Sequence, residues 1–114
     1  MYKWELSMFL KRITLLVLLI FSVTLGAYST KDYQRAKRGR KKMVWANLAR
    51  ANLAKFNFKN ANLTNAYLYW ANLKNANLEN AILTRADLKK ANLKKANLKN
   101  ATLIGAKMEY AILN

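Results

Sequence analysis

An all-β solenoid preceded by an apolar helix is the fold this sequence predicts, and three observations predict it. From Ala46 to Asn114 one five-residue phrase recurs without insertion or deletion. Within that phrase the apolar residues keep a fixed phase: Ala opens thirteen of fourteen blocks and Leu stands third in twelve. Upstream, the eighteen residues from Ile13 to Thr30 carry no charge.

The blocks read ANLAR, ANLAK, FNFKN, ANLTN, AYLYW, ANLKN, ANLEN, AILTR, ADLKK, ANLKK, ANLKN, ATLIG, AKMEY and AILN. Phe56 replaces the opening Ala once, Phe58 and Met108 replace Leu, and the second position is Asn or Asp in nine blocks. On an α-helix at ~100° per residue, leucines spaced by five scatter around the whole circumference. On a flat strand, an odd period sends alternate leucines to opposite faces. A chain that turns a corner once per block instead keeps every first and third residue inside, and its coils stack through parallel ladders.

Tandem A-[ND]-L-x-x blocks over 46–114 resemble the pentapeptide-repeat family. The resemblance implies a right-handed quadrilateral β-helix with four blocks per coil, hence about 3.4 coils here. Residues twenty apart then lie above one another, which predicts the inner stacks Leu48–Leu68–Leu88–Met108, Leu53–Leu73–Leu93–Leu113, Phe58–Leu78–Leu98 and Leu63–Leu83–Leu103. Phe56 and Phe58 are placed as a plug in a widened first coil.

Composition narrows the function classes. The chain has no Cys and no His, so disulfides, Cys/His metal sites and His-dependent catalysis are excluded. Its five acids, Glu5, Asp32, Glu79, Asp87 and Glu109, form no evident pair for acid–base work, and Gly26, Gly39 and Gly105 are too scattered for a phosphate-cradling loop. The expectation is a protein that is not an enzyme, with no cofactor, no metal and no small-molecule substrate.

Residues 1–30 read as a signal peptide or a membrane anchor. Lys3, Lys11 and Arg12 precede an apolar centre, LLVLLIF, and Ala27-Tyr28-Ser29 offers small residues to a signal peptidase. Eighteen uncharged residues also reach the lower end of the length that spans a bilayer. Residues 31–44 form a basic linker, with a helical reading that ends at Gly39. Met43 falls at the Leu phase of a block opening at Lys41, an imperfect block leading into Trp45. Basic flanks on both sides of the apolar run leave its direction across a membrane open.

The formal net charge is +16, with +8 on residues 1–42 and +8 on 43–114. Topoisomerase-directed DNA mimicry, an activity the resemblance brings to mind, uses an acidic rod and is disfavoured by this sign. Twenty-residue stacking gathers Arg50, Tyr67, Tyr69, Trp70, Lys89 and Lys90 on one face, joined by Lys107 and Tyr110. The expected function is therefore a structural or interaction module, membrane-anchored or exported, whose basic surface meets an anionic partner such as lipid head groups. The alternative is nucleic-acid binding through the aromatic and basic face. At the far end the apolar outer residues increase, and Met108, Tyr110, Ile112 and Leu113 are expected to centre an end-to-end homodimer.

Overall fold

The computed structural model describes residues 3–24 and 28–114, and the side chains of 5–17 and 28–114. Helix α1 spans Lys3–Thr24. Leu6, Phe9, Leu10, Leu15, Leu16 and Val17 on it are each more than half exposed. No helix among the described residues is long and apolar enough to cross a membrane. Most of the expected apolar centre, from Leu18 to Phe21, lies outside the described side chains, and Ala27 of the expected peptidase motif lies outside the described residues.

Helix α2 spans Thr30–Lys37. Its first turn is fixed by Ser29, which is extended in its backbone and whose hydroxyl oxygen accepts the Asp32 N–H at 3.3 Å, as an N-cap should. Its end is a Schellman motif: the Arg40 N–H donates to the Arg35 carbonyl and the Gly39 N–H to the Ala36 carbonyl. Gly39 takes the left-handed conformation this requires, at φ 67°. The helix lies on the first coil, with Ala36 buried, Tyr33 packed against the core and the Tyr33 and Phe56 rings 5.5 Å apart.

From Lys42 onward the chain is a four-sided solenoid. Eleven parallel bridges each join residue i to residue i+20, from Lys42–Asn62 to Asn92–Ile112. Each bridge is isolated, because a block has room for one paired residue before the next corner, so the coil holds ladders without conventional strands. The solenoid begins one block before Ala46, where the regular phrase opens: Lys42 is paired and Met43 is fully buried above Leu63. The core is a column of Leu and Ala, with Leu48, Leu53, Leu63, Leu68, Leu73, Leu78, Leu83 and Leu88 all inaccessible.

One block accounts for its own backbone donors, and that explains its residue types. The first-position N–H closes the preceding corner onto a third-position carbonyl, as Ala51 does to Leu48 at 3.1 Å. The second-position N–H points to the previous coil and the third- and fifth-position N–H groups to the next, as in Tyr67 to Ala46, Leu48 to Tyr67 and Arg50 to Tyr69. The fourth N–H is taken by the second-position side chain. All nine Asn or Asp residues at that position accept it, at 3.0–3.3 Å. An Asx turn is thus built into each such corner.

The fifth residue of every complete block sits at positive φ, between 56° and 68°, as the third residue of a type II turn must. Asn tolerates this region best among residues with a side chain, and Asn60, Asn65, Asn75, Asn80 and Asn100 fill it, with Gly105 once. Asn side chains also bond from coil to coil, the Asn72 amide donating to Asn52 and the Asn80 amide to Asn60, both at 3.2 Å.

Candidate functional site

The corner after each block presents its fifth residue outward, so one corner of the rod stacks Arg50, Trp70, Lys90 and Tyr110, alternating cation and ring. The Lys90 ammonium lies 4.7 Å from the Trp70 ring centre and 6.0 Å from that of Tyr110. Each contact of this kind contributes ~0.5–1 kcal/mol at an exposed site. Beside this corner Tyr69, Trp70, Asp87, Lys89 and Lys90 line an open recess of about 310 Å³. Asp87 is held in two ways: its carboxylate accepts the Lys89 backbone N–H at 3.1 Å and faces the Lys89 ammonium at 3.5 Å.

Tyr67 is on the same side of the rod but on its other edge, where its ring meets Trp45 at 6.4 Å. Register thus brings Tyr69, Trp70, Lys89 and Lys90 together and sets Tyr67 apart with Trp45. Trp45 and Asp87 were not among the residues singled out for this face. The phase of the block opening at Lys41 would have placed Trp45, since it fills the same fifth position as Trp70. The twenty-residue register would have placed Asp87, since it pairs with Tyr67.

At the far end Met108 is half-buried, while Tyr110, Ile112 and Leu113 are exposed. No group of three His, Cys, Asp or Glu side chains among the described residues could hold a metal ion.

Fold and surface define a four-sided solenoid built from five-residue blocks, with a helical cap at one end and a cationic, aromatic corner. The sequence profile of the pentapeptide repeats matches in eight copies over residues 42–80 and 81–114, and the chain belongs to that family. A comparison with curated protein sequences returned no match. Among solved structures, a pentapeptide repeat protein from the cyanobacterium Cyanothece 51142 is similar at 26% identity over 59% of this chain and 56% of its own, with a TM-score of 0.37. HetL from Nostoc sp. strain PCC 7120, involved in heterocyst differentiation regulation, is similar at 29% identity over 62% of this chain and 38% of its own, TM-score 0.32. A thylakoid-lumen pentapeptide repeat protein of Arabidopsis thaliana gives 28% identity over 65% and 55%, TM-score 0.34. The chain therefore spans between about two fifths and just over half of the length of these relatives.

Proposed function

We propose that this protein is a non-enzymatic interaction module, a right-handed pentapeptide coil held at a membrane by residues 3–24, with its basic N-terminal end turned to anionic lipid head groups. One observation carries the reading: the large apolar side chains described on α1, from Leu6 to Val17, are exposed, and the cap that follows from Ser29 onward has a basic surface. Lys31, Lys37, Arg38, Arg40, Lys41 and Lys42 are exposed there, whereas Arg35 is committed to Asp32 at 3.0 Å and to the Lys42 carbonyl. Near an anionic surface each such cation contributes about 1 kcal/mol.

Retention of the apolar segment fits the cap better than its removal. A cut after Ser29 would take away the N-cap of α2, the bond from the Ser29 N–H to the Asn47 carbonyl at 2.9 Å and the Tyr28 ring, which packs tilted against that of Tyr33 at 4.9 Å between centres. N-terminal sequencing of the mature protein decides between anchor and signal peptide, and Thr30 as first residue would contradict the anchor.

Co-sedimentation of residues 28–114 with phosphatidylcholine vesicles, with and without phosphatidylglycerol, tests the head-group contact. The expected outcome is binding to the anionic vesicles alone, weakened by salt. Equal binding to both, insensitive to salt, would overturn it. The module is further expected to form a homodimer through its last coil, centred on Met108, Tyr110, Ile112 and Leu113. Sedimentation equilibrium should show a dimer in the wild type and a monomer in the Ile112→Lys, Leu113→Lys variant, with folding stability unchanged within about 0.5 kcal/mol.

A further inference from the structure

The exposed apolar side chains of the solenoid are not spread around the rod. Two adjacent sides, sharing the corner at Trp45, carry Val44, Trp45, Tyr67, Trp70, Ile82, Ile104 and Tyr110. The other two, leaving out the final block, have no large hydrophobic residue exposed and present Lys and Asn instead. Trp45 is 60% exposed, Trp70 55%, Ile104 73% and Tyr110 83%, so this flank is largely uncovered. A rod with one apolar, aromatic flank and one polar flank is amphipathic along its length.

Charge selects the occupant. The apolar flank carries seven basic side chains, among them Lys41, Lys42 and Arg85, against only Asp87 and Glu109. A second copy of this chain would bring like charge to like charge, which disfavours pairing through this flank. A single-stranded nucleic acid would neutralise the charge, but it needs free ring faces on which to stack. Lys90 lies between the Trp70 and Tyr110 rings and covers a face of each, and Val44, Ile82 and Ile104 offer a base or phosphate nothing. Aromatic rings, aliphatic side chains and cations together match the interface of an anionic bilayer, where Trp and Tyr settle at head-group depth and Lys and Arg extend to the phosphates.

We propose that the flank defined by Trp45, Tyr67, Trp70, Ile82, Ile104 and Tyr110 lies against the surface of an anionic bilayer, so that the rod rests along the membrane. The inference rests on the reading that residues 3–24 hold the chain at a membrane, and it specifies which face of the solenoid the lipid meets. The flank opens at Lys41 and Lys42, the last residues of the basic cap, so the two lipid-facing surfaces are continuous.

The full chain carrying Trp4→Phe leaves Trp45 and Trp70 as its only indoles. It is mixed with vesicles of phosphatidylcholine, with and without phosphatidylglycerol, whose acyl chains are brominated. Pelleting reports anchoring, and quenching of the indole emission reports the flank. The expected result is pelleting with both vesicles and at least about twofold quenching only where phosphatidylglycerol is present, reversed by salt of about 0.5 M. Adding Ile82→Asn and Ile104→Lys, residue types the same block positions hold elsewhere in the repeat, should abolish the quenching while pelleting and thermal melting persist. Pelleting with unquenched indoles would overturn the flank proposal and leave the anchor standing. A chain that stays in the supernatant would overturn both, and quenching by single-stranded DNA but not by lipid would assign the flank to nucleic acid instead.

Discussion

The two ends of the solenoid begin from the same five-residue grammar and finish differently. At the N-terminal end α2 lies across the first coil: Asp32 accepts the Asn47 N–H at 3.0 Å, the Ser29 N–H donates to the Asn47 carbonyl, and Met43, Leu48, Leu53 and Phe58 are fully buried. At the other end the equivalent residues Leu98, Leu103 and Met108 are only half-buried and Leu113 is exposed. The inner residue is of the same kind in both places. What differs is whether eight residues of helix cover it, so burial in a short solenoid is decided by caps as much as by core composition.

The largest expected effect sets the two ends against each other on one stack. Met43→Ala should cost about 2–4 kcal/mol, because the site is sealed and a cavity remains, whereas Leu103→Ala should cost roughly half as much at a site already open to water. Urea denaturation measures both, and equal losses would show that the cap seals nothing. Next comes the cap itself. Asp32→Ala strands the Asn47 N–H and releases Arg35, an expected loss of about 1–3 kcal/mol, and Ser29→Ala removes the N-cap for about 1 kcal/mol. The same measurement on a chain lacking α2 should make the two substitutions at Met43 and Leu103 nearly equivalent.

Much of this was legible in the amino acids. Period five with Ala and Leu at fixed phase led to a solenoid, and the family resemblance supplied four blocks per coil and with it the inner stacks and the twenty-residue register. The role of second-position Asn was not legible, since its bond to the fourth N–H appears only once the corner is drawn. Nor was the cap: Tyr28 reads as part of the targeting or anchor segment, and Tyr33 and Ala36 as linker residues, until the open top of the first coil gives them something to cover. The start at Lys42 was obscured because Lys41 and Lys42 stand where Ala and Asn do elsewhere, and only Met43 keeps the phase. On the candidate face, register supplied the neighbours, but the position of the Lys90 ammonium between two rings is a matter of side-chain conformation that residue spacing does not convey.

The smallest expected effect sharpens the comparison between blocks that have the Asn and blocks that lack it. Ile82 offers no acceptor to the Thr84 N–H, so Ile82→Asn should add an Asx bond like that of Asn62 to Thr64, which is 3.0 Å long. The gain should be about 0.5–1 kcal/mol, read as a higher melting temperature. A neutral or destabilising result would mean that water already serves that corner equally well.

Hydrogen exchange tests the inequality of the ends most directly. The Leu48, Leu53 and Leu63 amides donate to carbonyls of the next coil at 2.7–2.8 Å, whereas those of Leu98, Leu103 and Met108 have no acceptor among the described residues. In dilute solution the first three should exchange only with global unfolding and the last three orders of magnitude faster. The proposed pairing of the last coil with a second copy predicts that, as protein concentration rises, the Leu98, Leu103 and Met108 amides become protected while the others do not change. Equal protection at both ends at every concentration would contradict the account of a capped and an open end, and fast exchange at the far end that never responds to concentration would remove the homodimer.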